Sequence, residues 1–127
     1  MPDSDRAMLA CVWLAAVSHE KQQLGGRDRF LILAGAAACR AGHLDVAERC
    51  RELTIAHNPL HILTRYASFP NALRSDDFAT FLKQIERFCG YERAEHLLRE
   101  LGIDADAPED AETDRGVAAL EVLSRIG

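Results

Sequence analysis

Residues 27–59 read RDRFLILAGAAACRAGHLDVAERCRELTIAHNP, and this stretch decides the fold because it holds two helical segments joined by a short link. The first segment, residues 28–41, is apolar around most of its circumference, with small side chains in its last two turns. Gly42 supplies the left-handed conformation that ends a helix, and residues 45–56 form the next periodic segment. So short a link forces the two helices to run antiparallel. The stretch therefore predicts a helical hairpin, which Pro59 terminates.

Further helices are expected along the rest of the chain, because apolar stripes at helical spacing alternate with glycine or proline. The expected ranges are residues 3–23, 60–67, 76–88, 91–101 and 117–126. The Gly25-Gly26 pair is expected to end the first of them. Ala and Leu are abundant, β-branched residues are scarce, and no segment alternates with the period of a strand. The sequence predicts an all-α protein of antiparallel helix hairpins, either a short solenoid or a compact bundle of about six helices.

Charge divides the chain into a neutral body and an acidic segment. The body contains 13 Lys plus Arg and 13 Asp plus Glu, although the whole chain carries a net charge of −5. Residues 104–114 contain six acidic residues and no basic one, a composition that repels itself and buries nothing. We therefore expect a helical repeat-like domain over residues 1–103, an acidic linker over residues 104–116 and a short C-terminal helix over residues 117–127.

Charge and hydropathy also exclude two classes of partner. A neutral body with an acidic segment offers phosphates no run of Lys and Arg, so we expect no binding of nucleic acid. The apolar run at residues 7–17 is shorter than the roughly 20 residues that cross a bilayer, so we expect no membrane span. Asp3 and Asp5 precede this run, which is the wrong charge for a secretory signal. We expect a cytoplasmic protein.

The cysteines allow three interpretations: core thiols, a disulfide or a metal site. They are Cys11, Cys39, Cys50 and Cys89. Each lies among apolar residues, as reduced core thiols of a cytosolic protein do, and a disulfide is open only to Cys39 and Cys50. Cys39, His43 and Cys50 could also face one zinc ion from adjoining helices. The close Cys-x-x-Cys or His-x-x-x-His pairs typical of such sites are missing, so we predict no metal site and no cofactor.

The sequence contains no recognisable catalytic motif. It lacks a serine in a nucleophile elbow, a glycine loop with lysine for phosphates and the histidine spacing of zinc proteases, so we predict no enzymatic activity. A helix-turn-helix over residues 76–101 would present three acids and two arginines on its second helix. Phosphates would repel that helix, which makes a DNA-binding regulator the least favoured hypothesis.

Within residues 27–59, the spacing of particular residues resembles a tetratricopeptide repeat. The matching positions are Leu31, Ala34, Gly35, Ala38, Gly42, Ala47 and the dipeptide Asn58-Pro59. The resemblance implies that Gly35 and Ala47 lie where the two helices cross. Arg51 and Thr54 depart from the large aromatic residue and the alanine usual at those places. Since at least about three repeats are normally needed for a stable solenoid, one well-matched unit favours a compact bundle.

The resemblance also implies a role in protein–protein interaction, with a partner peptide held against the first helix of the hairpin. Carried onto this chain, the partner-binding residues would be Arg29, Ile32, Ala36 and Arg40. The two arginines would pair with carboxylates, or they are simply solvated surface residues. We predict a small adaptor or scaffold that binds another protein or peptide, including a second copy of itself. The alternative is a metal- or thiol-dependent helical domain with zinc held by Cys39, His43 and Cys50.

Overall fold

The computed structural model describes residues 4–89, 91–103 and 115–127, and these residues fold into helices connected by short turns. The helices are α1 (Ser4–Glu20), α2 (Leu24–Ala41), α3 (Leu44–His57), α4 (Phe69–Leu73), α5 (Asp76–Phe88), α6 (Tyr91–Glu100) and α7 (Arg115–Leu123). A 3₁₀ turn, Ile62–Arg65, lies between α3 and α4. No strand occurs in the described ranges, so the prediction of an all-α bundle of helix hairpins is confirmed. None of these helices is both long and apolar enough to cross a membrane.

Helices α1 and α2 form the centre of the bundle. Helix α1 packs against α2, α6 and α7, and α2 packs against α1, α3, α4 and α5. Their buried residues point in all directions around the helix axis, including an unbroken run in α2 from Leu31 to Ala38. A helix that is apolar on every side has to be covered on every side, which explains why the shorter helices surround this pair.

The predicted hairpin is present, and its turn is built as the glycine indicated. Gly42 has a φ of 84°, the left-handed conformation, at the end of α2. The Gly42 N–H donates to the Cys39 carbonyl at 3.2 Å, and the His43 N–H donates to the Ala38 carbonyl at 2.8 Å. These two bonds form a Schellman motif, which satisfies the last carbonyl groups of α2 and turns the chain directly into α3.

The end of α1 differs from the sequence prediction. Gln22 takes the left-handed conformation, with a φ of 61°, and the Gln23 N–H donates to the Ser18 carbonyl at 2.8 Å. The turn is therefore complete before the Gly25-Gly26 pair, and both glycines lie in the first turn of α2. The prediction that this pair ends the first helix is wrong, because the chain closes α1 with a non-glycine residue three positions earlier.

The segment between α3 and α5 is tied to the α2–α3 hairpin by side chains. Arg51 Nη2 donates to the Tyr66 carbonyl at 2.8 Å, and the Phe69 N–H donates to Glu48 Oε1 at 2.9 Å. Ser68 caps α4 by accepting a bond from the Asn71 N–H at 3.2 Å, so the chain restarts as a helix at Phe69, with Pro70 in the first turn. Only the 3₁₀ turn forms where a helix was expected over residues 60–67.

Gly35 lies under the ring of Phe69. A Cβ built at Gly35 would lie 2.2 Å from Cε2 of Phe69, so only a residue without a side chain permits this contact. Phe69 itself is fully buried and meets Phe78 of α5 edge to face, with ring centroids 5.8 Å apart. The missing side chain at Gly35 thus allows Phe69 of α4 to pack against α2. The resemblance did not indicate this contact.

Helix α7 packs on the body of the protein. Its segment buries Ala119, Val122, Leu123 and Ile126. The Arg125 guanidinium lies 4.8 Å from the centre of the Trp13 ring, a cation–π contact with α1. The C-terminal helix begins at Arg115, two residues earlier than predicted, while residues 104–114 of the predicted acidic linker lie outside the described residues.

The contact between Gly35 and Phe69 predicts a large difference between two glycine substitutions. Gly35→Ala should lower the free energy of unfolding by about 1–3 kcal/mol, because the new methyl group overlaps the buried ring. Gly25→Ala is the matched control: nothing lies within 4 Å of its Cβ position, so stability should stay or rise by less than about 1 kcal/mol. Urea denaturation measures both. If Gly35→Ala lowers the free energy of unfolding by the same amount in a Phe69→Leu background, the overlap with the Phe69 ring is not the cause of the destabilisation.

The left-handed residue at the end of α1 predicts a stabilising substitution. Gln22→Gly should raise the free energy of unfolding by up to about 1 kcal/mol, because glycine adopts this conformation without the steric cost paid by other residues. Gln22→Ala keeps that cost and should not stabilise. Thermal and urea unfolding of the three proteins would contradict the geometry if the alanine variant were as stable as the glycine variant.

Candidate functional site

The four residues predicted to bind a partner lie on one face of α2, and α5 packs along that face. Arg29 and Arg40 are exposed, whereas Ile32 and Ala36 are completely buried. Arg40 Nη2 lies 3.7 Å from Glu86 Oε1 of α5, an ion pair across the two helices. The face is therefore no open groove: its centre belongs to the core, because the apolar stripe of α5 needs the same surface.

An opening remains at the N-terminal end of this face, and we name it the α2–α5 cleft. It is lined by Asp28, Arg29, Ile32, His61, Phe81 and Ile85 and has a volume of about 140 Å³. Ile32, Phe81 and Ile85 make its floor apolar, while Arg29 and His61 bring polar groups to its edge. Binding sites usually combine a largely apolar lining with a few convergent polar groups, and an opening of this size suits a side chain of a partner better than a whole small molecule.

His61 is held in one orientation by the turn that follows it. Its Nδ1 accepts a hydrogen bond from the Leu63 N–H at 3.1 Å, and its ring meets Phe81 edge to face, with centroids 5.5 Å apart. Because Nδ1 is an acceptor, the neutral ring carries its proton on Nε2. Burial lowers the pKa of His61, and the nearby Asp28 carboxylate offsets part of that effect. His61 is thus a neutral hydrogen-bond donor in the cleft.

Asp28 is already committed to a buried arginine. Both Nε and Nη2 of Arg27 lie 3.0 Å from Asp28 Oδ1, and Arg27 is only 4% exposed. Arg27 Nη1 also contacts His19 Nδ1 at 3.2 Å, and the His19 ring lies 5.6 Å from that of His57. Pairing compensates the buried charge of Arg27. Arg29 also lines the cleft, and its side chain is exposed to solvent.

The zinc alternative gains no geometric support. His43 Nε2 lies 2.6 Å from Asp5 Oδ1, so this ring nitrogen is bound to a carboxylate of α1. Cys50 is fully buried on α3, and Cys39 is half-buried at the end of α2. In the part of the chain that the structure describes, no three His, Cys, Asp or Glu side chains converge as metal ligands.

The cysteines are free thiols in an environment that suppresses their reactivity. Burial raises the pKa of Cys39 to about 11, and it also raises the pKa of Cys11, Cys50 and Cys89. A reactive cysteine needs a lowered pKa, since the thiolate is the nucleophile. None of the four has that property, so they fit the interpretation as core thiols.

A second opening, which we name the α1–α6 pocket, lies between α1, the start of α2 and α6. It is lined by Leu14, Val17, Ser18, Lys21, Gln23, Phe30, Leu97, Glu100 and Leu101, and its volume is about 230 Å³. Leu101 is 44% exposed, and Leu24, next to Gln23, is 47% exposed. Phe30 faces this pocket while its neighbour Arg29 faces the cleft, so the two openings lie on different sides of α2.

Sequence reasoning brought together Arg29 and Ile32 but missed Asp28, His61, Phe81 and Ile85. The missed signal is the apolar stripe of α5, which is the clearest in the chain and needs an apolar surface to cover. Helix α2 offers such a surface on all sides. His61 had no comparable signal, because its place in the cleft depends on the path of the chain after Pro59.

Comparisons of the chain with protein-family models, with curated proteins and with solved structures gave no match. The resemblance to a tetratricopeptide repeat therefore rests on the residues of the α2–α3 hairpin alone, and the function has to be argued from the geometry of the site.

The lowered pKa of His61 predicts a pH-dependent stability. Below about pH 6.5, where the unfolded chain takes up a proton at this residue, the folded state resists protonation, so stability should fall as the pH falls through this range. His61→Asn keeps an acceptor for the Leu63 N–H and does not titrate. The variant should lose less stability than the wild type between pH 7.5 and pH 5.5 in urea denaturation. Equal losses in both proteins would show that His61 is not buried as described.

Proposed function

We propose that this protein is a protein–protein interaction module without catalytic activity of its own, and that the α2–α5 cleft holds an acidic and apolar segment of its partner. The observation that carries the proposal is the make-up of the cleft: an apolar floor beside an exposed arginine and a neutral histidine donor. A carboxylate next to a leucine, isoleucine or phenylalanine side chain complements both parts.

The roles of the cleft residues follow from their surroundings. The Arg29 guanidinium pairs with the carboxylate, and His61 Nε2 donates to the same carboxylate or to a carbonyl of the segment. Ile32, Phe81 and Ile85 contact the apolar side chain. Asp28 does not repel the acidic segment strongly, since its own charge is compensated by Arg27 at 3.0 Å.

The tetratricopeptide-like character of the α2–α3 hairpin remains part of this proposal. Two antiparallel helices joined at Gly42 agree with it in outline. The site that we propose differs from the groove first expected, because Ile32 and Ala36 are buried and only the end of the groove with Arg29 is open. A cytoplasmic location is also proposed, and the free thiols of all four cysteines support it.

The alternatives have weaker support. A zinc or thiol-dependent domain would need converging ligands or an activated cysteine, and neither occurs among the described residues. A DNA-binding regulator would use α6, where Glu95 lies 3.8 Å from Arg6 of α1 and Glu100 lies 3.0 Å from His96. These carboxylates would face phosphates together with the two arginines of that helix.

The proposal predicts that one charge reversal abolishes partner capture. The full chain is immobilised and exposed to extract from its native cells, and bound proteins are quantified by mass spectrometry. Arg29→Glu should reduce the capture of specific partners tenfold or more, because it replaces the cation that binds the carboxylate. Arg93→Glu, an exposed reversal on α6, is the matched control and should retain them. Arg40→Glu does not test the cleft, because Arg40 does not line it.

Peptide arrays made from the captured partners then identify the segment. The strongest binding should fall on peptides with Asp or Glu beside a large apolar residue, and replacing that Asp or Glu with Asn or Gln should abolish it. If the Arg29→Glu protein captures every partner of the wild type, the cleft is not the binding site.

A further inference from the structure

The α1–α6 pocket is not used by the proposed function, and it differs from the cleft in its chemistry. Its walls are formed largely by leucine, valine and phenylalanine side chains from three helices. Leu101, at the end of α6, lines the pocket and is 44% exposed to solvent. An exposed leucine at an apolar opening gains from being covered.

The rim of the pocket carries one charge of each sign. Lys21 follows the end of α1, and Glu100 is the last residue of α6. The Glu100 side chain is 61% exposed, and its ion pair with His96 lies on the surface, so this carboxylate remains accessible to a second partner. Solvent-exposed ion pairs of this kind contribute little and are readily exchanged.

A patch that combines both charges, an exposed leucine and an apolar pocket has the elements needed to bind a second copy of itself. A two-fold dimer contains every contact twice: if residue i of one copy contacts residue j of the other, residue j of the first copy also contacts residue i of the second. Rotating the patch onto itself can therefore place each lysine against the glutamate of the other copy, and each Leu101 against the other pocket. A patch with charges of only one sign would repel its own copy.

The size of the pocket also favours a protein side chain over a small molecule. Its volume of about 230 Å³ is below the roughly 300–1,000 Å³ usual for ligand pockets. A standard interface covers about 800 Å² on each partner, a modest share of the 7097 Å² surface of this chain.

We propose that the α1–α6 pocket is the interface of a homodimer, in which Lys21 of each copy pairs with Glu100 of the other copy and Leu101 enters the apolar pocket opposite. This proposal is independent of the partner-binding role of the α2–α5 cleft, because Arg29 and His61 do not line the pocket.

The test is a charge exchange measured by sedimentation equilibrium of the full chain over a range of concentrations. The wild type should dimerise. Lys21→Glu alone and Glu100→Lys alone should each weaken self-association tenfold or more, because each variant carries two like charges in the interface. An equal mixture of the two variants should form a heterodimer, since every contact across the two-fold axis then joins opposite charges. A variant that was monomeric because it failed to fold could not form this heterodimer, so the mixture separates a loss of the charge contact from a loss of folding.

Two controls complete the design. Lys83→Glu, an exposed reversal on α5, should leave the dimer unchanged. Leu101→Gln should prevent dimerisation, whereas Leu44→Gln should not, because Leu44 is 53% exposed but lies at the opposite end of the bundle, where α3 begins.

Three results would overturn the proposal: a wild type that stays monomeric up to millimolar concentration, single charge variants that associate like the wild type, or a mixture of the two that remains monomeric. None of these results affects the cleft, whose test depends on Arg29 alone.

Discussion

The structure depends on one constraint: α1 and α2 are apolar on nearly every side, so they are stable only when other helices surround them. The two helices pack against each other, and each of the shorter helices packs against one of them. Burial of apolar surface is the main favourable term in folding, so the amphipathic helices α5, α6 and α7 each stabilise the protein by covering one side of the pair. The positions of both proposed binding surfaces follow from where this covering layer is incomplete.

The contact between Gly35 and Phe69 determines where the layer opens beside α2. Because α2 lacks a side chain at Gly35, the Phe69 ring comes into direct contact with its backbone. Phe69 then meets Phe78, which places the first turns of α5 beside α2. Further along, Phe81 and His61 stand edge to face, 5.5 Å apart, at the border of the cleft. A methyl group at Gly35 would shift this chain of rings, so the cleft depends on a residue outside it.

Much of the fold could be predicted from the sequence because glycine and proline have strict local requirements. Gly42 has the left-handed φ expected of it, and the α2–α3 hairpin follows. The same rule failed at Gly25 and Gly26. Glycine can adopt the left-handed conformation but does not have to, and here Gln22 adopts it at the end of α1. The local conformational preferences of glycine and proline therefore predicted where the helices lie better than they predicted the residues at which the helices end.

The candidate site was less predictable, since it depends on which helix covers which face. The sequence showed that Arg29, Ile32, Ala36 and Arg40 share a side of α2, and the structure agrees with that spacing. It could not show that α5 would cover the middle of that side, because Ile32 and Ala36 are as suitable for a core as for a peptide groove. Nor could it show that His61, beyond Pro59, returns to Arg29 and Asp28.

The charged residues at the start of α2 show how the constraint on the core also shapes the site. Arg27 faces the interior and is 4% exposed, so it needs compensation, which Asp28 and His19 supply. That pairing compensates part of the charge of Asp28, while Arg29, one residue further around the helix, lies at the surface. Three consecutive charged residues thus have separate fates: one is buried, one neutralises it, and one is presented to solvent. This division is the reason why we propose an acidic segment as the partner of the cleft.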